Sequence, residues 1–145
     1  MKKAIITALL LSACTPQPSP ATGSGEASDN VMKIWKAFES GHIQEMKPYF
    51  ADTVIYEDAS GMRFHGPTEL LLAFAQKDIA GLDSMRFDIT KWESEKVDGA
   101  DWIRIWSAER RYQKSGADTI LMQENWQVKN GRVVYFNQYL AKLPK

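Results

Sequence analysis

The spacing of apolar residues changes from helical to alternating along this chain. Val31, Ile34, Trp35 and Phe38 follow the i, i+3, i+4, i+7 spacing of an amphipathic helix. Ser28 or Asp29 is placed to cap its start, and Gly41 to end it. A second short helix is predicted with Ile43, Met46, Lys47 and Phe50 in register and Pro48 near its end. Thr53 to Asp58 reads as a strand, with Val54, Tyr56 and Asp58 on one face. Asp58-Ala59-Ser60-Gly61 is a turn, and Met62 to His65 a short returning strand. Gly66-Pro67-Thr68-Glu69 opens a third helix, which carries Leu70, Leu71, Phe74 and Ala75 and closes at Gly81.

Beyond Gly81 the period becomes two. Met85, Phe87 and Ile89 alternate with Arg86, Asp88 and Thr90. A long strand over Trp102 to Tyr112 puts Trp102, Arg104, Trp106, Ala108, Arg110 and Tyr112 on one face. The next, Asp118 to Lys129, puts Ile120, Met122, Glu124, Trp126 and Val128 together. Asn130-Gly131 is a strong hairpin signal, and Arg132 to Ala141 is the closing strand. Segregated helices and antiparallel strands define an α+β class.

The N-terminus follows a different pattern. Lys2 and Lys3 precede an uncharged, mainly apolar run from Ala4 to Leu11. It is shorter than the roughly 20 residues a membrane-spanning helix needs, so it reads as a cleaved export signal. Leu11-Ser12-Ala13-Cys14 resembles the lipobox of bacterial lipoproteins. That resemblance implies cleavage before Cys14 and lipid on its thiol and amine, and two or three acyl chains anchor stably. Cys14 is the single cysteine, so no internal disulfide forms. Pro16 to Ser28 is poor in apolar residues and reads as a flexible spacer. The expected organisation is a signal over 1–13, a lipidated cysteine and tether over 14–28, and one domain over 29–145. The expected location is the cell envelope, on the outer or inner membrane, with the domain outside the cytoplasm. Thr15, in place of an aspartate, favours the outer membrane.

Charge narrows the partners. The chain has 18 basic and 18 acidic residues; losing Lys2 and Lys3 leaves 16 against 18, a net charge of −2. Lysine and arginine are scattered, which argues against nucleic acid. The two histidines, His42 and His65, lack metal-ligand spacing, and there is no phosphate loop or nucleophile elbow. No metal or cofactor is expected.

The element order resembles the nuclear transport factor 2-like superfamily, which includes SnoaL-like cyclases and ketosteroid isomerases. The resemblance is carried by Gly41-His42-Ile43 through Phe50-Ala51-Asp52, by Tyr56-Glu57-Asp58, by Phe64-His65-Gly66-Pro67, and by Glu124 through Val133. It covers Asp29 to Lys145. It implies a cone-shaped, curved antiparallel sheet of about six strands wrapped around three N-terminal helices, with an apolar pocket inside. Such a fold does not by itself assign an activity.

Three polar residues are candidates for catalysis. Asp58 aligns with the general base of ketosteroid isomerases; its alternative is to cap its own turn. Glu124 is the lone acid on an apolar face and aligns near the protonated acid of the isomerase oxyanion hole. Its alternative is an ion pair with Arg104 or Arg110. His65 is an acid/base candidate or an ordinary turn residue. The isomerases' first-helix tyrosine is replaced by Ile34 beside Trp35, which argues against steroid isomerisation. Tyr56, Trp102, Trp106, Trp126 and Tyr139 are the expected pocket lining. Three functions compete: a tethered module binding a small apolar or amphipathic ligand, a SnoaL-like acid/base enzyme using Asp58 or Glu124, and an interaction domain that forms a homodimer through its sheet.

Overall fold

A computed structural model describes residues 25–142. Cys14, the export signal and most of the expected tether lie outside the described residues. Two α-helices, α1 (Gly25–Glu39) and α2 (Thr68–Ile79), flank a 3-10 helix at Ile43–Tyr49. The strands are β1 (Phe50–Glu57), β2 (Arg63–Pro67), β3 (Ser84–Val97), β4 (Ala100–Gln113), β5 (Gly116–Lys129) and β6 (Arg132–Lys142). They form one six-stranded sheet in the order β2-β1-β6-β5-β4-β3. The result is an α+β, cone-like fold with the helices against one face of the sheet.

The sheet departs from pure antiparallel pairing at one place. β1 runs parallel to β6 while every other neighbour is antiparallel. The chain passes through α2 and three long strands before β6 returns beside β1, and this closes the sheet around the helices. β6 also slips register against β5 between Gln127 and Val128. Val133 and Phe136, three residues apart, therefore both face the helices and are buried.

α1 begins at Gly25, ahead of the expected cap at Ser28 or Asp29. Ala27 and Ser28 are buried within it, and Asn30 Nδ2 donates to Gly131 O at 3.0 Å. Docking onto the β5–β6 turn thus extends the helix into a stretch whose composition alone reads as spacer. Val31, Ile34 and Trp35 supply its core face, as the spacing predicts. The core joins them to Ile43, Met46 and Phe50, to Leu71 and Leu72 of α2, and to Ile103, Ile105, Trp126, Val128 and Val133 of the sheet. The described helices are too short or too polar to cross a membrane.

Candidate functional site

The inner face of the sheet carries buried polar residues among its apolar ones. On β5 the residues turned inward are Met122, Glu124, Trp126 and Val128, all buried. On β4 they are Ile103, Ile105, Ser107 and Glu109, also buried. Glu124 is 2% exposed. Gln138 Nε2 donates to its Oε1 at 2.5 Å, and Trp126 Nε1 to its Oε2 at 3.0 Å. Trp35 of α1 adds further hydrogen bonding to the carboxyl. Desolvation outweighs these donors and pushes the Glu124 pKa up to about 7. Its protonated and ionised forms are therefore close in free energy near neutral pH.

Glu124 connects outward through a directional chain. Tyr56 Oη donates to Gln138 Oε1 at 2.8 Å, and Gln138 in turn donates to Glu124. Gln138 faces Glu124 directly across the β5–β6 ladder. Tyr56 is half-buried and stacks on Phe136, centroids 4.6 Å apart, and Phe136 stacks on Trp126 at 4.5 Å. Burial, with Asp58 and Glu124 adding to it, raises the Tyr56 pKa to about 12, so Tyr56 stays a donor.

A second acid stands nearby. Glu109 is 2% exposed, and burial pushes its pKa up despite Arg111, whose Nε lies 2.5 Å from Glu109 Oε1. Arg111 also forks onto Asp78 of α2, at 3.1 and 2.8 Å. Burial works against the guanidinium charge, but Asp78 and Glu109 more than offset it. The negative field of Glu109 reaches Glu124 and contributes to its raised pKa. On β4, in the cross-strand row between those of Glu124 and Glu109, the buried Ser107 hydroxyl has no partner among the described residues.

The predicted residues are thus distributed over different places. Glu124, Trp126 and Tyr56 meet on the inner face. Asp58 does not join them. Its carboxylate accepts from Ser60 N at 2.9 Å, Ser60 Oγ at 2.6 Å and Met62 N at 2.9 Å. The Ser60 hydroxyl, then the backbone amides, hold its pKa below the usual range, a state suited to a turn rather than to proton exchange. His65 is exposed on the edge strand β2, opposite Ile55.

Trp102, Trp106 and Tyr139 lie on the outer face, a correction to their expected place inside the cone. The inner positions of β4 are taken by smaller side chains that fit against the helices, which leaves the alternating tryptophans outside. The arginines divide in the same way. Arg104 and Arg110 are also outside, on Glu95 at 2.6 Å and on Asp88 at 2.9 Å. The arginine that faces inward is Arg111. Sequence reasoning missed Glu109, Arg111 and Gln138. The available signal was the Ile103-x-Ile105-x-Ser107 alternation, which marks the odd positions of β4 as the buried face.

The outer face carries an open groove of about 560 Å3, lined in part by Trp102, Arg104, Asn125, Tyr135 and Tyr139. Among the described residues, no cluster of His, Cys, Asp and Glu is arranged to hold a metal ion.

No protein-family model matches this chain, and no curated protein is similar in sequence. Solved structures are similar in fold. An LEH-like epoxide hydrolase of Mycobacterium tuberculosis superposes with TM-score 0.65 at 14% identity, covering 80% of this chain and 83% of that one. A protein assigned as a SnoaL-like polyketide cyclase in Shewanella denitrificans gives TM-score 0.64 at 12% identity, over 81% and 92%. An NTF2-like protein of unknown function from Burkholderia pseudomallei gives 0.64 at 18%, over 81% and 92%. At these identities the likeness establishes the fold, which is nuclear transport factor 2-like.

Proposed function

We propose that the cone interior binds a small, largely apolar molecule and that Glu124 exchanges a proton with it. The observation that carries this reading is a fully buried carboxyl whose pKa lies near 7 on an apolar inner face. A general acid/base works best when its pKa is close to ambient pH. Ile105, Met122, Trp126 and Phe136 belong to the packed core around it, so a molecule that displaces part of this packing to reach Glu124 meets an apolar surface. Ser107 supplies an uncommitted hydroxyl that a polar group on the ligand would satisfy. Tyr56 and Gln138 form the route by which Glu124 communicates with the half-buried rim. Glu109, held by Arg111, replaces Asp58 as the second carboxyl of the site.

The reaction class this supports is acid/base chemistry at one carboxyl: opening of an epoxide by water, loss of water from a β-hydroxy carbonyl, or proton shuttling beside a carbonyl. The epoxide hydrolase and the cyclase of similar fold are consistent with that class. The lipobox resemblance at Cys14 supports a domain tethered to a membrane of the cell envelope and acting outside the cytoplasm.

The test is turnover of small apolar epoxides, enones and β-hydroxy ketones, followed by chromatography and mass spectrometry for the parent protein and Glu124→Gln. The expected result is activity in the parent that titrates near pH 7 and is lost in the variant. Equal activity in both proteins would refute the role of Glu124. Retention of a ligand with no turnover of any probe would reduce the function to binding.

A further inference from the structure

Glu124 and Ser107 are 2% and 4% exposed, so a molecule that meets them has to pass a closed covering. The burial of the helices differs along that covering. α1 has buried residues from Ala27 to Ala37, and the 3-10 helix buries Ile43 and Met46. In α2 the buried residues are Thr68, Leu71 and Leu72, all in its first half. From Ala73 to Ile79 no residue is buried. Ala75 and Ile79 are half-covered by the core, and Phe74 is 54% exposed. A segment with so little buried apolar surface opens locally at a lower cost than the rest of the fold.

The two ends of this segment are fixed. The Thr68 hydroxyl donates to Ala51 O at the start of α2, and beyond its end Asp83 N donates to Tyr112 O at 2.8 Å. Between them, the polar tie to the sheet is Asp78. Its two carboxylate oxygens take the Arg111 guanidinium at 3.1 and 2.8 Å, and Arg111 holds buried Glu109 at 2.5 Å. Asp78 lies in the last turn of α2, where the helix dipole disfavours a carboxylate. What it contributes is therefore the tie to β4 rather than support for its own helix. Its charge reaches both Glu109 on β4 and Tyr56 on β1, the two flanks of the polar inner face. This half of α2 thus stands over the rows that contain Glu109, Ser107 and Glu124. An ion pair with a half-exposed partner is a weak fastening.

We infer that the second half of α2, from Ala73 to Ile79, is a gate over the inner site, latched by Asp78 on Arg111. Opening breaks the fork to Asp78 and parts the edge-on contact of Phe74 with Phe64, whose centroids are 5.6 Å apart. Arg111 keeps Glu109 as its partner in the open state, so no buried carboxylate is left without a cation. The first half of α2, α1 and the sheet stay in place. The inference rests on the reading that Glu124 meets a ligand, and it names the element that admits one.

The test is the reaction rate of a thiol at position 107 with methyl methanethiosulfonate, followed by mass spectrometry. The protein is the full chain carrying Cys14→Ser and Ser107→Cys, in which that thiol is the only one. Ser28→Cys in the same Cys14→Ser background is the control, since Ser28 is also buried and lacks a partner among the described residues but belongs to α1. Position 107 is expected to react faster than position 28. Asp78→Asn is expected to speed the reaction at position 107 about fivefold, as loss of one such ion pair implies, and to leave position 28 unchanged. The gate is overturned if the two positions react at one common rate, if Asp78→Asn leaves position 107 unchanged, or if it speeds both alike. Should Ser107→Cys fail to fold, hydrogen exchange in the chain with Ser107 intact decides. Amides from Phe74 to Ile79 are expected to exchange faster than those from Val31 to Ala37, and Asp78→Asn to speed the first set alone; equal exchange in the two sets overturns the gate. Neither measurement uses a ligand or turnover. The gate can therefore fail while Glu124→Gln still abolishes activity, and it can hold while no probe is turned over.

Discussion

Glu124 concentrates the residue-scale consequences of this fold. Its folded pKa of about 7 lies above the ordinary glutamate value of 4.5, so the native state holds its proton more tightly than the unfolded state does. Stability from this group is intact below about pH 4.5 and falls as pH rises toward about 7, because the unfolded chain then releases the proton first. The loss is at most roughly 3 kcal/mol for a shift of that size. Urea unfolding of Glu124→Gln across this range is expected to show a flatter pH profile than the parent. A parent profile that instead rises through the same window would contradict the assignment. Trp35→Phe keeps the ring packing against Phe87, whose centroid is 4.4 Å away, but removes an N–H donor. The Glu124 pKa is expected to move further up, as read by carbon NMR of the side-chain carboxyl. Asp58→Ala, by contrast, is expected to lower the melting temperature slightly and leave inner-face chemistry unchanged. That acid was legible in the sequence as either base or turn residue, and its three hydrogen bonds within the turn favour the second. The isolation of Glu124 on an apolar strand face was also legible. Its partners were not: Gln138 reaches it through a cross-strand pairing that only the register of β6 sets.

At the scale of elements, the helices and the four long strands are where hydrophobic period predicted them, because each buries one face and the spacing records which. The faces were harder to orient. β4 alternates two tryptophans with two isoleucines, and both sets are apolar enough to be core. The competition is decided by what packs opposite. Ile103 and Ile105 fit under the helices and are completely buried, which leaves Trp102 and Trp106 outside, the latter under the Lys91 ammonium at 4.7 Å. On β6, strict alternation from Val133 would carry Tyr135 and Tyr139 inward; the register slip reverses them, and no residue type announces it. The β5–β6 turn was legible, and its backbone explains why: Asn130 and Gly131 have φ of 51° and 75°, the left-handed pair that a two-residue hairpin demands. Gly131→Ala is expected to cost about 1 kcal/mol, since a Cβ disfavours that conformation. Because Gly131 O also accepts from Asn30, the start of α1 should loosen with it. Hydrogen exchange that rises both in the turn and at Asn30 would establish the coupling; a change in the turn alone would separate the two.

For the whole molecule, the sheet divides its labour by face, and the division constrains how the domain works if it is tethered. Inward, carboxyls are buried and their proton affinities are raised by the helices packed over them. Outward, aromatic and amide rows stay accessible because no described helix covers that side. A domain held at a membrane by lipid on Cys14 would keep both faces available, provided the anchor contributes nothing to the fold. The packing of α1 supports that independence, since among the described residues Ala27, Val31, Ile34, Trp35 and Ala37 share one buried cluster with the sheet and the other helices. Cys14→Ser is therefore expected to leave the melting temperature of the domain unchanged while moving the protein from the membrane fraction to the soluble fraction of cells that express it. One acyl chain binds membranes only marginally and two or three bind stably, so the shift should be nearly complete rather than partial. A Cys14→Ser protein that stays with the membrane after washes in high salt would mean that something other than lipid holds it there, and the exposed apolar residues of the domain itself, such as Leu70 and Phe74 on α2, would be the first surface to mutate.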